Sequence, residues 1–386
     1  MASGSTNGTG DAAGKGFNQP GEVPGWVNYA LLPALNLVAA LAVSSLVILA
    51  IGENPIAAMG VLLYGSFGYP EAVGFTLYYT TNFIFTGLAV SVAFHCGLFN
   101  IGGEGQAYIG GLAVGLVGLW FGGAPWPVVA IIAIAAGAAG GAAWAYVPAW
   151  LQAHRGSHIV ITTIMFNFIA ASVMTYLLVD VLIAPGQQSP ESRQFDQSTW
   201  LPFMHQALGW IGIRIPNSPL NLSFVWALVC CALVWVLIWH TRWGYEIRTV
   251  GQNERAAVYA GISPSGNIIL AMAISGALAG FVGLNEVLGV NHRLILGFTG
   301  GVGFVGIAVA LMGRNHPIGI VLAALLFGAL YQGGSELAFD FPNINREMVV
   351  VIQGLVILFA GALENLFKSR VEALFRRSTR QPATAG

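Results

Sequence analysis

Long apolar runs limit what this chain can fold into more than any other feature. They fall at about 26–51, 72–98, 100–121, 126–151, 158–183, 222–240, 267–289, 298–313, 317–338 and 347–366. A helix needs about 20 apolar residues to cross the hydrocarbon core of a bilayer, and most of these runs are near that length. A transmembrane barrel would instead show segments of roughly ten residues alternating polar and apolar. The expected fold class is therefore an all-α polytopic membrane protein with about ten spans. Only 8% of the residues are charged, against about 25% in soluble domains. Residues 1–26 are rich in Gly, Ser, Asn and Pro and lack the apolar core of a cleavable signal, so a disordered cytoplasmic tail is expected there. The membrane domain is expected to occupy 27–366, followed by a basic cytoplasmic tail over 367–386.

Basic loops are retained on the cytoplasmic side, so Lys and Arg orient the spans. With both termini inside, Lys15, Arg155, Arg242, Arg248, Arg255, Arg314, Lys368, Arg370, Arg376, Arg377 and Arg380 are cytoplasmic, and only Arg193, Arg214, Arg293 and Arg346 are external. The proline-containing stretch 184–221 is then the longest external segment, where a partner can dock. A formal net charge of −1 leaves no basic field for nucleic acid. Cys96, Cys230 and Cys231 all sit in apolar runs and read as small core residues.

Two glycine-containing breaks interrupt the apolar pattern in a related way. One is Asn100-Ile101-Gly102-Gly103-Glu104-Gly105-Gln106; the other is Phe298-Thr299-Gly300-Gly301-Val302-Gly303-Phe304. Paired breaks in the two halves of a chain point to a transport pathway between repeats, whereas the same glycines also permit close helix packing. The second hypothesis these breaks support is that they lie against one another. Glu104 stands in an apolar region, where a charge costs roughly 2.5–3.5 kcal/mol on insertion scales and must face protein or water. Two roles are open for it: a lock between helices, hydrogen-bonded to Asn100 and Gln106, or a group lining the solute path. The same two readings apply to Asn285 with Glu286 and to Asn167 with Thr162 and Thr163. Together with Phe304, the candidate pathway residues are Asn100, Glu104, Gln106, Asn167, Asn285 and Glu286.

The most informative polar stretch runs from Thr241 to Pro264. Asn253 is a good helix N-cap, Glu254 suits the positive first turn, and the residues to Ala260 are mostly helix formers. Gly261 is placed to end the helix and Pro264 to prevent its resumption. The result is a helix of about two turns between two spans, over about 251–262, whose small residues Ala256, Ala257 and Ala260 would let another protein approach closely. No G-x-x-x-x-G-K-[ST] phosphate loop, H-E-x-x-H or G-x-S-x-G occurs, so no ATPase or hydrolase site is expected on this chain, and no metal or other cofactor.

Three ordered motifs carry a family resemblance: Gly97 to Gln106, Gly251 to Ile262, and Gly289 to Leu294 running on to Gly303–Pro317. Together they resemble the permease family of ATP-binding cassette (ABC) importers for simple sugars, branched-chain amino acids and nucleosides, and most of all the longer permease of nucleoside importers. The resemblance spans about 27–368. It implies a type II ABC importer fold with two related halves, a second homologous permease chain, two ATPase subunits holding ATP and Mg, and an extracytoplasmic solute-binding lipoprotein at a bacterial inner membrane. It also implies that the short helix is the coupling helix, carried by Gly251, Asn253, Ala256, Ala257 and Gly261. His158 stands where that family has an acidic residue. The spans show few polar side chains, so selection is expected to fall to the binding protein. An ion-coupled carrier using Glu104 or Glu286, or a simple-sugar permease, are the alternatives.

Overall fold

The computed structural model describes residues 31–341, 343–344 and 346–358; both expected tails lie outside these residues. The helices are α1 (Leu32–Ala50), α2 (Pro55–Phe67), α3 (Pro70–His95), α4 (Gly103–Trp120), α5 (Trp126–Arg155), α6 (Ile159–Tyr176), α7 (Met204–Gly209), α8 (Ser223–His240), α9 (Arg242–Gln252), α10 (Glu254–Tyr259), α11 (Pro264–Gly280), α12 (Val302–Met312), α13 (Pro317–Asp340) and α14 (Arg346–Ile357). π-helical turns extend α6 over Leu177–Val181 and follow α11 over Leu284–Asn291. The chain separates into two compact units. In one, residues 1–43 with 356–386, only the first part of α1 and the end of α14 are described. The other, residues 44–355, holds everything that follows.

Among the described residues, six helices are long and apolar enough to cross a membrane: Pro70–His95, Trp126–Arg155, Ile159–Val181, Ser223–His240, Pro264–Asn291 and Pro317–Asp340. A seventh is reached if Val38–Ala50 and Pro55–Phe67, bent by 120° at their junction, make one span. The chain is thus a multi-pass membrane protein, with fewer full spans among the described residues than the ten apolar runs suggest. The run at 298–313 yields only the eleven residues of α12, about 16 Å of helix against a core of about 30 Å. Glu104 and Gln106 lower the hydropathy of α4. Helix α2 falls in none of the ten runs; its start is set by Asn54, whose Oδ1 accepts from the Ile56 amide at 2.9 Å, with Pro55 in the first turn.

Burial orders the spans. In α3, 83% of the apolar window is buried, and 72% in Pro264–Asn291, against 22–28% in α5, α6 and α8. Helix α3 and the α11 span are therefore central, while the outer helices present apolar side chains outward. Small residues permit this density, as expected where lipid removes the usual hydrophobic drive between helices. Gly137 and Gly141 on α5 face Gly280 and Gly276 on α11 so closely that a β-carbon at Gly141 would collide with the Gly276 carbonyl. Residues between α6 and α8 fold back over one end of the bundle, where the Phe195 amide donates to His292 O and the Leu201 amide to Leu288 O. Arg293 pairs with Glu191 there at 2.7 Å, and Asp196, accepting from the Ser198 amide, keeps its carboxyl below its ordinary range.

Candidate functional site

At the polar stretch, Asn253 caps α10 by accepting from the Ala256 amide at 3.1 Å. Gly261 (φ +75°) follows in the left-handed region, where the Ile262 amide returns to Ala257 O at 2.9 Å. Two details differ from the sequence expectation. Pro264 does not stop a helix; it opens α11 in the first turn behind the Ser263 cap. Ala257 is fully buried, whereas Ala256, Ala260, Gly261, Val258 and Tyr259 are exposed. In a helix this short one residue per turn must face its own protein, so the accessible tip is carried by Tyr259 (94% exposed) rather than by an all-alanine face. Helix α9, absent from the sequence reading, precedes the tip and carries Gly251 in its last turn. A β-carbon there would collide with the His95 carbonyl, so this backbone approach seats α9 on the end of α3. Within α9, Arg242 bonds Glu246 at 2.8 Å and holds that carboxyl below its usual range.

The two glycine breaks meet. The Glu104 carboxylate accepts from the Thr299 hydroxyl (2.5 Å), the Gly301 amide (3.0 Å) and the Gly303 amide (2.8 Å). The last two donors open α12, so the anion sits at a helix N-terminus where backbone N–H groups lack internal partners. Gly303 lies so near Glu104 that a β-carbon would strike its backbone nitrogen. Asn100 and Gln106 do not bind Glu104, as their proximity in sequence suggests. They bond each other, Asn100 Nδ2 donating to Gln106 Oε1 at 3.0 Å and to Ser275 Oγ at 2.8 Å, because Gly102 turns the chain and Asn100 Oδ1 caps that turn at its amide. Asn167 joins the same region from α6, accepting from the Gly105 amide and donating to Ile101 O, both at 2.9 Å. These groups are buried and mutually satisfied. Phe304, by contrast, is 48% exposed.

Beside the second break lies a cavity of about 530 Å³, within the range typical of small-molecule sites. Its walls are Tyr78, Tyr79 and Asn82 from α3, Glu286 from the π-turn, Phe298, Thr299, Gly300 and Val302 from the break, Tyr331 and Ser335 from α13, and Gln353 from α14. The Tyr78 and Tyr79 rings are 5.0 Å apart by centroid, and Tyr79 and Tyr331 5.8 Å. Glu286 Oε1 accepts from the Tyr78 hydroxyl and from Asn82 Nδ2, each at 2.6 Å. Asn285 stands behind it, accepting from Asn221 and Ser223 and donating to Tyr78 O and Asn82 Oδ1. Of the sequence candidates, then, only Glu286 lines this cavity; Glu104 touches it through Thr299, Asn285 supports it, and Asn100, Gln106 and Asn167 form a separate cluster. Sequence reading missed the α3 wall, although the polar run Tyr78-Tyr79-Thr80-Thr81-Asn82 inside an otherwise apolar span was a visible signal. Tyr331, Ser335 and Gln353 carried no comparable mark.

Comparison with known proteins now bears on this arrangement. The family described as branched-chain amino acid transport system / permease component matches residues 72–361. The guanosine ABC transporter permease protein NupP of Bacillus subtilis is 36% identical over 337 residues, covering 87% of this chain and 94% of the relative. The glucose ABC transporter permease protein TsgB13 of Haloferax volcanii is 34% identical over 374 residues, 94% of this chain and 95% of the relative. The nucleoside ABC transporter permease protein NupB of Lactococcus lactis is 32% identical over 332 residues, 85% of this chain and 90% of the relative. No solved structure matches the chain. A bundle of membrane spans around a polar, aromatic-lined cavity and a family match across three quarters of the sequence lead to one conclusion: the chain belongs to the family of branched-chain amino acid transport system / permease components.

Proposed function

We propose that this chain is the membrane subunit of an ABC importer that carries a nucleoside across a bacterial inner membrane, both termini being cytoplasmic. The observation that carries this reading is the cavity, whose volume and mixture of aromatic faces with hydroxyl, amide and carboxylate groups suit a solute that is flat at one end and polyhydroxylated at the other. Relatives named for guanosine and nucleosides support it. In this reading ATP and Mg sit on two partner ATPase subunits, a second homologous permease completes the passage, and an external lipoprotein delivers the solute. The exposed tip of α10, between Asn253 and Gly261, meets the ATPase, and the Gly251 approach to the end of α3 ties that contact to a helix that walls the cavity. The type II fold with about ten passes in two related halves would count α4 and α12 with the longer helices, their glycine breaks being counterparts in the two halves.

The test is transport by the complex reconstituted in proteoliposomes with its ATPase and binding protein. ATP-dependent uptake of labelled guanosine or adenosine is expected. Uptake confined to glucose would favour the second reading, a sugar permease, which the TsgB13 similarity motivates. Uptake driven by a proton gradient without any ATPase would overturn the importer reading.

A further inference from the structure

We propose that Glu286 reads the ribose hydroxyls of the solute inside the permease, so that selection continues after the binding protein has released its cargo. This rests on the reading of the cavity as the chamber for nucleosides.

Hydrogen-bond polarity around Glu286 is resolved in one direction. Asn285 uses its amide on both sides: Oδ1 accepts from Asn221 Nδ2 at 2.8 Å and Ser223 Oγ at 2.9 Å, while Nδ2 donates to Tyr78 O at 3.1 Å and Asn82 Oδ1 at 2.9 Å. The bond to Asn82 Oδ1 fixes which way the Asn82 amide faces, and its nitrogen is thereby aimed at Glu286. Tyr78 adds a second donor to the same oxygen, Oε1. Beside the cavity, Glu286 Oε1 is thus held as an oriented acceptor. Two carboxylate oxygens offer about four acceptor positions. Tyr78 and Asn82 take two on Oε1 and Asn291 lies within bonding reach of the group, which leaves capacity on the wall that faces the cavity.

The position is itself unusual. Leu284–Asn291 is wound as a π-helix, a rare form frequently found at functional sites, and it places Glu286 on the cavity wall. An oriented acceptor selects donors, so solute hydroxyls are favoured. The Tyr79 and Tyr331 rings, which line the same cavity, supply the flat surfaces a base needs. With the base against those rings, the sugar is the part left to meet the carboxylate. This makes the permease more selective than its few polar span residues suggest.

The experiment compares uptake of guanosine and of 2′,3′-dideoxyguanosine by the reconstituted complex, with one binding protein at saturating concentration throughout. Any change in their ratio between permease variants then belongs to the permease. Glu286→Gln is expected to lower the guanosine preference about tenfold, mostly by slowing guanosine, because one carboxyl oxygen is replaced by an amide NH2 that cannot accept a hydroxyl proton. Should that variant not reach the membrane, Glu286→Asp, which withdraws the same carboxyl group by one methylene, is expected to narrow the ratio too. An unchanged ratio, or an equal fall for both solutes, would overturn the assignment and leave Glu286 a structural anchor. A wild-type complex that carries neither nucleoside would overturn the chamber reading, and this inference with it.

Discussion

Glu104 and Glu286 are both buried carboxylates in an apolar bundle, each 8% exposed, yet their surroundings divide them. Glu104 is satisfied largely by backbone: two amides and one hydroxyl, all from the Thr299–Gly303 segment, hold it against the start of α12. Glu286 is satisfied by side chains that are in turn oriented by other side chains, and it borders open volume. Backbone donors survive every substitution except proline and do not turn away, so the first arrangement fastens two segments nearly 200 residues apart. The second presents a hydrogen-bonding carboxyl group to whatever enters the cavity. A buried carboxylate in a membrane protein is thus not by itself a pathway residue; the source of its donors separates a fastening from a contact surface.

The largest expected effect breaks the first member of this pair. Glu104→Ala strands two amides and a hydroxyl at the head of α12, and about 3–5 kcal/mol of stability should be lost. Thermal unfolding in detergent would show it, and uptake of every solute should fall together. Retained stability with altered solute preference would mean that Glu104 is a path group after all. Next in size, Glu286→Gln keeps shape and most hydrogen bonds, so stability should change by only about 1 kcal/mol while solute preference shifts; a loss of stability matching that of Glu104→Ala would erase the distinction.

Helix α10 sharpens the comparison from outside the bundle. Tyr259→Ala removes the most exposed aromatic of the tip and should leave the unfolding temperature unchanged but reduce ATP-driven uptake severalfold, as loss of an aromatic anchor at an interface does. Ala257→Glu is the poorer test, because Ala257 is fully buried and the substitution would unseat α10 as well as any partner. The smallest effect belongs to Arg242→Gln. Glu246 sits below its ordinary range chiefly because Arg242 donates to it, so the pair's contribution is present above the unfolded carboxylate range and is lost as pH falls through the lowered value. The pair is an exposed i,i+4 contact, and at neutral pH the variant's unfolding should be indistinguishable from wild type.

Much of this was legible in local pattern. Asn253 announced its cap because capping depends on residues three apart, and Pro55, Pro70 and Pro317 stand at helix starts for the same local reason. The paired glycine breaks were legible as pairs. Their partner groups were not: Glu104 passes over its neighbours Asn100 and Gln106 to bind Thr299, Gly301 and Gly303, a choice made by how α4 and α12 approach. The count of full-length spans among the described residues is six or seven against ten apolar runs, since hydropathy records that a segment avoids water and does not say whether it avoids it against lipid or against other helices. Helix α2, beginning at a polar cap and bent 120° from its predecessor, escaped for the converse reason.

The amino-acid sequence by itself determined that the chain is helical, membrane-embedded and interrupted at two related glycine segments, because apolar length, helix caps and glycine freedom act over a few neighbouring residues. Only the tertiary structure decided that Tyr78, Asn82, Glu286, Tyr331 and Gln353 share one cavity. Those residues come from four separate stretches of chain, and what joins them is close packing of α3 against the α11 span and α13, a property of facing surfaces that no single stretch encodes.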